Sequence, residues 1–175
     1  AFALAEELGQ RGYNVELATD GRGDRYGNDF PASAIHQIPS ATTTSRSPVA
    51  LTKTALTLAG GVRKAHKILG KINPAAVIGF GGYPSFPPIV AAALRSIPTA
   101  LHEQNAVLGR ANRMLAGRVS AIATSFDTVK FVPDDAASKV RMTGNPVRSM
   151  VIEAAVREYQ APEPGGSINL LVFGG

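Results

Sequence analysis

The feature that most constrains this 175-residue chain is its alternation of short apolar stretches with helical patterns. Residues 75–79 form a continuous apolar run, which is typical of a strand buried on both faces of a sheet. Residues 48–70, just before it, carry apolar side chains with a helical period. Strands that alternate with helices pair in parallel through crossover connections. The sequence therefore predicts an α/β fold with a Rossmann-like, doubly wound parallel sheet.

The same patterns predict the individual elements. Gly60 and Gly61 each weaken the long second helix by about 1 kcal/mol, so two shorter helices are an alternative there. The chain opens on a pattern typical of mid-helix and closes on a strand followed by glycines, which we interpret as the ends of an internal fragment. Helices are expected over 1–11, 48–70, 86–95, 108–116 and 147–159, and strands over 13–19, 35–38, 75–79, 99–101, 119–124, 139–142 and 168–173.

Composition excludes several classes of protein. The chain has no cysteine, which excludes a disulfide scaffold, a zinc–thiolate site and a cysteine nucleophile. The longest apolar run, residues 89–94, is far shorter than the roughly 18 residues that a membrane span needs. Hydrophobic residues make up 45% of the chain, which rules out wholesale disorder.

Positive charge is concentrated in the middle of the chain. Residues 46–118 carry ten Lys or Arg and one acid, Glu103, for a net charge of +9. Such a window predicts an anionic partner, and a merely solvated basic face is the alternative. Nucleic acid is the weakest choice of anion, because no interleaved exposed aromatics or known motif accompany the charge. We therefore expect phosphate groups or acidic lipid and no nucleic acid.

Several well-known site motifs are incomplete here. The stretch 79–84 begins like a dinucleotide fingerprint, but Pro84 stands where the third glycine belongs. The stretch 102–106 begins like a zinc-protease helix, but position 106 is not the second histidine. Neither a P-loop nor a G-x-S-x-G elbow occurs. We predict no metal ligands and no tightly bound cofactor, and leave open whether a divalent cation is required.

Three polar clusters do follow predicted strands: 79–85 (GFGGYPS), 102–105 (HEQN) and 144–148 (GNPVR). Doubly wound sheets bind ligands just beyond the carboxyl ends of their strands, so the three clusters should lie close together. Glycines let the backbone approach an anion, and a following helix N-terminus favours phosphate. A plain tight turn is the alternative for the first cluster.

The second and third clusters carry side chains suited to chemistry. His102 and Glu103 form a pair capable of proton transfer, and the amides beside them suit hydroxyl or amide recognition, with helix capping as the alternative. Arg148 is expected in a first helical turn, where the dipole disfavours a cation, so a bound phosphate would explain it. A surface arginine is the alternative. His36 and His66 are expected to have no convergent partners.

Together, in this order and spacing, the three clusters resemble the N-terminal domain of glycosyltransferase family 28. Its members are bacterial cell-wall enzymes that transfer N-acetylglucosamine from UDP-N-acetylglucosamine to lipid I, giving lipid II. The resemblance implies the N-terminal half of a GT-B glycosyltransferase, with two Rossmann-like domains and a cleft between them. Residues 1–160 would form the acceptor-binding domain without its first strand and glycine loop. Residues 161–175 would form the linker and the first strand of the C-terminal domain.

The resemblance also implies roles for individual residues in inverting glycosyl transfer. Catalytic roles fall to Glu103, which would orient or deprotonate the acceptor C4 hydroxyl, and to His102. UDP-N-acetylglucosamine contacts fall to Asn105 and Arg148. The acceptor pyrophosphate falls to Gly81, Gly82, Tyr83 and Asn112.

A lipid acceptor implies a peripheral enzyme on the cytoplasmic face of the bacterial plasma membrane, with other cell-wall enzymes as further partners. The segment 48–71 fits an anionic membrane surface, since Leu51 lies near Lys53, Lys64 and Lys67. A core-facing stripe is the alternative, with residues 51, 55, 58 and 62 inward and only the start of the helix exposed. Two other functions stay open: another GT-B glycosyltransferase with a lipid acceptor, and a non-catalytic nucleotide- or phosphate-binding Rossmann module.

Overall fold

A computed structural model describes residues 1–21, 29–42, 47–158, 161, 165–167 and 170. Helices and strands alternate along most of this length, as the sequence predicts, and short 3-10 helices occur in the connections. The helices are α1 (Phe2–Gln10), α2 (Pro48–Ile72), α3 (Phe86–Leu94), α4 (Arg110–Leu115) and α5 (Ser149–Ala155). The strands are β1 (Glu16–Thr19), β2 (Ala34–Gln37), β3 (Val77–Gly79), β4 (Thr99–Glu103), β5 (Ala121–Thr124) and β6 (Val140–Met142).

Every strand pair among the described residues is parallel, which confirms the predicted fold class. The strands form two groups, β1–β2 and β3–β4–β5–β6, rather than one continuous ladder. The register of the second group sets Gly79 beside Leu101, and Glu103 beside Thr124. Strand β4 lies in the middle of this group and is its most buried strand. The carboxyl ends of β3, β4, β5 and β6 therefore meet at one edge.

Two apolar clusters hold the helices to the sheet and to one another. The larger contains five fully or almost fully buried large side chains from α3, α4, the sheet and the loop before α4: Ile89, Leu101, Leu108, Leu115 and Ile122. The smaller lies between α2 and α3 and contains Ile38, Ala65, Leu69, Ala91 and Ala92. Each fully buried Leu or Ile contributes about 1.5–3 kcal/mol to stability relative to an exposed one, so the larger cluster holds α3 and α4 firmly against the sheet.

Helix α2 is a single helix of 25 residues, so the alternative of two shorter helices is wrong. The Ser47 side chain caps its start by accepting from the backbone N–H of Ala50, and Asn73 ends it in a left-handed conformation with φ 49°. Gly61 is buried and packs its Cα against the Pro39 carbonyl and the Pro87 ring. Gly60 faces open space. One of the two glycines is therefore a packing residue.

Several sequence-derived boundaries differ from the structure. Strand β3 covers Val77–Gly79 and is not buried on both faces, since Ile78 is 40% exposed. Strand β4 runs two residues further than predicted and includes His102 and Glu103, because β5 continues to pair with it. Helix α5 covers only Ser149–Ala155. The predicted strand 168–173 and the linker expected before it lie largely outside the described residues.

Candidate functional site

The three polar clusters lie at the carboxyl edge of the β3–β6 sheet. Gly81 and Gly82 follow β3, His102 and Glu103 end β4, and Gly144 follows β6. Direct contacts tie the clusters together: the His102 ring lies 5.5 Å from the Phe80 ring, and its Nε2 lies 3.1 Å from the Gly144 carbonyl oxygen. The structure therefore brings the three clusters to one site, as their positions after strands predict.

The first cluster is a tight left-handed turn. Gly81 and Gly82 have φ values of 80° and 71°, a region that side chains with a Cβ rarely adopt. The Ser85 hydroxyl donates to the Gly81 carbonyl at 2.7 Å and closes the turn onto a 3-10 helix that contains half-buried Tyr83. A Cβ on Gly81 would lie 3.3 Å from Asn112 Nδ2. Glycine here permits both the backbone conformation and the close approach of α4.

The buried His102 imidazole is held through both ring nitrogens. The Gln104 side-chain amide nitrogen donates to the His102 carbonyl oxygen at 3.1 Å and lies 2.8 Å from His102 Nδ1. A carbonyl oxygen only accepts, so the Gln104 atom is the nitrogen and Nδ1 accepts from it. Nε2 then carries the proton and donates it to the Gly144 carbonyl. His102 is thus a crosslink between β4 and the turn after β6.

The Glu103 carboxylate accepts four hydrogen bonds although its residue is only 2% exposed. Oε1 accepts from the backbone N–H and the side-chain amide of Asn105, each at 3.1 Å. Oε2 accepts from the Gly109 backbone N–H at 2.8 Å and from the Asn112 amide at 2.9 Å. Burial raises the pKa of Glu103, but the Gly109, Asn112 and Asn105 hydrogen bonds outweigh it and hold the pKa below the usual glutamate value.

Among the described residues, two buried polar atoms next to Glu103 lack a hydrogen-bond partner. One is Asn112 Oδ1, on the amide that donates to Glu103 through its nitrogen. The other is Ser125 Oγ, on the residue whose backbone N–H donates to the Glu103 carbonyl oxygen at 3.0 Å. Buried polar atoms are normally paired, so both atoms are notable. Asn105, in contrast, is exposed and free to meet a ligand.

Arg148 does not occupy the predicted first helical turn. It is the exposed residue at the N-cap position, just before α5, with φ −66° and ψ 144°. Its guanidinium lies 5.0 Å from the centre of the Phe2 ring. The next residue, Ser149, donates to Glu6 at 2.7 Å. Arg148 therefore contacts α1 in this structure, and no contact joins it to the His102–Glu103 network among the described residues.

The sequence assigned no individual role to three residues that contribute to this site. Phe80 stacks on His102, Gly109 donates to Glu103, and Ser125 leaves its hydroxyl unpaired. No local pattern marks the role of Gly109, because it donates through its backbone and its φ of −61° is one that any residue adopts.

The two histidines expected to lack convergent partners each make one polar contact between neighbouring elements. His36 Nε2 lies 2.6 Å from Glu16 Oε2 across the β1–β2 pair. His66 Nε2 lies 3.4 Å from the Arg95 guanidinium, between α2 and α3.

Helix α2 carries exposed apolar side chains in its first half and exposed basic side chains along most of its length. Leu51 is 47% exposed and Leu56 is 69% exposed, and Lys53, Lys64 and Lys67 are exposed as well. Of the four residues in the core-facing alternative, 51 and 55 are exposed, so that alternative is wrong for them. Residues 58 and 62 are half-buried, and Val62 packs on the cluster between α2 and α3.

Two further searches concern only the described ranges of the chain. Within them, no helix combines the length and apolarity that a bilayer span requires. The same ranges contain no group of three or more His, Cys, Asp or Glu side chains placed to hold a metal ion.

Comparison with known proteins points to one family. Residues 1–124 match the model of the glycosyltransferase family 28 N-terminal domain. A UDP-N-acetylglucosamine--N-acetylmuramyl-(pentapeptide) pyrophosphoryl-undecaprenol N-acetylglucosamine transferase from Rhodopseudomonas palustris is 51% identical over 175 residues, which are 100% of this chain and 48% of that protein. The enzyme of the same name from Mesorhizobium japonicum is 52% identical over 178 residues, 100% of this chain and 46% of that protein. The chain thus spans about half the length of the curated relatives it matches.

Solved structures agree with the sequence comparison. The crystal structure of Acinetobacter baumannii MurG superposes with a TM-score of 0.64 at 30% identity, covering 84% of this chain and 41% of that one. A UDP-N-acetylglucosamine 2-epimerase superposes with a TM-score of 0.58 at 17% identity over 91% of this chain and 48% of that one, which supports the fold alone. With the three clusters gathered at one sheet edge and the family model matching most of its length, the chain belongs to glycosyltransferase family 28 and carries its N-terminal domain.

Proposed function

We propose that the protein carrying this chain transfers N-acetylglucosamine from UDP-N-acetylglucosamine to the C4 hydroxyl of the N-acetylmuramic acid in lipid I, giving lipid II. The observation that carries the proposal is the match of the whole chain, at 51% and 52% sequence identity, to transferases whose names state a UDP-N-acetylglucosamine donor and a lipid-pyrophosphate acceptor. The gathering of three clusters at one sheet edge supports it, because such edges bind ligands.

The proposed reaction is a single displacement with inversion. The acceptor C4 oxygen attacks the anomeric carbon, the bond from that carbon to UDP breaks, and the hydroxyl proton passes to a base. UDP leaves with the bonding electron pair and is stabilised by N–H groups and positive charge. For Glu103 we retain the orienting role, because its four hydrogen bonds leave it poorly suited to deprotonate the hydroxyl. His102, held through both ring nitrogens, suits an orienting role for the same reason.

Contacts with the two substrates are assigned as follows. Asn105, the exposed amide of the second cluster, and Arg148 contact the sugar nucleotide. The left-handed turn of Gly81 and Gly82 contacts the acceptor pyrophosphate through its backbone, with Tyr83 and Asn112 at its border. These residues are exposed or half-buried, which supports the assignment, except Asn112, which is buried and lies against Gly81. Arg148 needs a change of partner from Phe2 to fulfil it.

We also propose one domain over residues 1–160, in which a further parallel strand lies between β1 and β3. The support is the absence of any ladder between those two strands within the described residues, together with the 40% exposure of Ile78 on β3. Residues 161–175 would lead into the second domain of the transferase.

The proposed location is the cytoplasmic face of the plasma membrane, with α2 against anionic lipid. Each basic residue near an anionic surface contributes about 1 kcal/mol, so the three lysines of the α2 surface contribute about 3 kcal/mol. Charge reversal of Lys53, Lys64 and Lys67 should lower affinity for anionic vesicles by about 100-fold or more. The matched control reverses Arg11, Lys130 and Arg157, which are exposed elsewhere. Equal losses in both triple variants, or no loss in the first, would contradict this membrane surface.

Activity of the full-length protein decides the function. We expect N-acetylglucosamine to appear on a lipid I analogue with one UDP released for each disaccharide formed. Transfer from another UDP-sugar, or to another lipid, would replace the proposal with a different GT-B glycosyltransferase. UDP binding without any transfer would indicate a non-catalytic nucleotide-binding module.

A further inference from the structure

The four hydrogen bonds of Glu103 determine how two neighbouring side-chain amides are turned. An ionised carboxylate only accepts hydrogen bonds, so the amide atoms that face it are nitrogens. These are Asn105 Nδ2, at 3.1 Å from Oε1, and Asn112 Nδ2, at 2.9 Å from Oε2. Each asparagine therefore turns its oxygen away from Glu103. The orientation of both amides is a consequence of the charge on one residue.

Neither amide oxygen is used by the protein in the bonds that define this network. Asn112 Oδ1 is buried without a partner, and its amide packs against the Cα of Gly81 in the glycine turn. Asn105 is exposed at the sheet edge. A hydrogen-bond acceptor presented there attracts a donor such as a hydroxyl or an amide N–H, and repels a phosphate oxygen. The two amides thus differ in polarity from the backbone N–H groups of a glycine turn.

The carboxylate has no spare capacity for a chemical role of its own. Two carboxylate oxygens offer about four lone-pair sites, and four donors already occupy them. The residue is almost fully buried, so an acceptor hydroxyl would have to displace one of these donors to reach it. Two of the donors are the backbone N–H groups of Asn105 and Gly109, which fix the loop between β4 and α4 at both ends.

We propose that Glu103 is a positioning residue that sets the polarity of the Asn105 and Asn112 amides, so that Asn105 presents an acceptor oxygen to a hydroxyl or N–H of the sugar substrate. This inference rests on the proposed transferase function and deepens it by naming the donor group that the site recognises. Glu103 acts through the two asparagines and takes no proton during the reaction.

The kinetic test uses the full-length protein with Glu103→Gln, which keeps the side-chain shape but sets an NH2 group against two of the four donors. We expect kcat/KM to fall about 10- to 100-fold, the usual range for loss of a hydrogen bond to a charged group. The acidic limb of the pH–rate profile should remain. In a background that already carries Asn105→Ala and Asn112→Ala, the same substitution should cost clearly less than in the wild-type background, because only the backbone N–H groups of residues 105 and 109 then remain as partners of Glu103.

Disappearance of the acidic limb, or a full loss in the double-alanine background, would assign Glu103 a direct role as base and overturn the inference. A second measurement does not depend on activity. Amide hydrogen exchange at Gly109 and Asn105 should accelerate at least about tenfold in Glu103→Gln, and stay unchanged in the control Glu7→Gln, an exposed position on α1.

The two measurements separate the inference from the proposed function. Unchanged exchange at Gly109 would overturn the positioning role even in an active enzyme. Accelerated exchange in a protein that transfers no sugar would support the positioning role and refute the transferase function.

Discussion

The adjacent glycines of α2 make opposite predictions about stability, although both lie in one helix. Replacing glycine by alanine inside a helix stabilises it by about 0.5–1 kcal/mol when the new methyl group meets nothing. Gly60 fulfils that condition, since within the described part of the chain nothing beyond its chain neighbours and the adjacent turns of its own helix would lie within 4 Å of an added Cβ. Gly60→Ala should therefore raise the free energy of unfolding by that amount.

Gly61→Ala should have the reverse effect. A Cβ at this position would overlap the Pro39 carbonyl oxygen and lie 3.1 Å from Pro87 Cγ. The Pro39 atom belongs to the backbone, and the Pro87 atom belongs to a rigid, buried ring, so neither can rotate away. Overpacking costs about 1–3 kcal/mol, and more where backbone must move. After the gain of about 1 kcal/mol in helix propensity, we expect a net loss of about 2 kcal/mol.

The two variants should therefore differ by about 3 kcal/mol. For a protein of this size, 1 kcal/mol shifts Tm by roughly 2–4 °C, so their melting temperatures should differ by about 6–12 °C, with wild type between them. Thermal unfolding followed by circular dichroism measures this, with urea unfolding as a second probe. A Gly61→Ala protein at least as stable as wild type would refute the packing argument, because helix propensity alone would then account for the effect of both substitutions.

Further predictions concern the site. Gly81→Ala should destabilise the glycine turn by about 1 kcal/mol or more, because an alanine is strained at φ 80° and its methyl group would press on Asn112; unfolding measurements and a raised KM for the acceptor would check it, and an unchanged KM would separate the turn from acceptor binding. The pKa of Glu103 is lowered in the folded state, so its stabilisation is complete above the ordinary glutamate pKa of about 4.3 and is lost as the pH falls through the lower folded value. The stability difference between wild type and Glu103→Gln should therefore be largest near neutral pH and shrink in acid; a difference that grew in acid would reverse the sign of the argument.

The sequence predicted where the site lies because the ends of parallel strands can be recognised from local pattern. Each cluster follows an apolar stretch, and the carboxyl ends of parallel strands share an edge, so the convergence of 79–85, 102–105 and 144–148 required no knowledge of long-range contacts. The boundary of β4 was placed two residues too early because His102 and Glu103 are polar. Their burial depends on partners that lie up to 42 residues away, as for Gly144.

Other failures have the same physical origin. The contact of His36 with Glu16 depends on the β1–β2 register, in which His36 lies opposite Ala18, and a single sequence does not fix that register. The two glycines of α2 were counted only as a loss of helix propensity, because the contact of Gly61 with Pro39 forms only when the connection after β2 folds back on the helix. Local pattern predicts elements and edges, whereas partners depend on packing.

The chemistry of Glu103 also bears on the concentration of positive charge. It is the one acid among residues 46–118, and a buried carboxylate is normally stabilised by a cation or by hydrogen bonds. All four donors to its side chain are neutral amide or backbone N–H groups. The carboxylate is thus stabilised by local dipoles, and none of these four bonds comes from a basic residue. Lys53, Lys64 and Lys67 remain exposed with their charge not neutralised by this acid, which is the electrostatic condition that an anionic lipid surface requires.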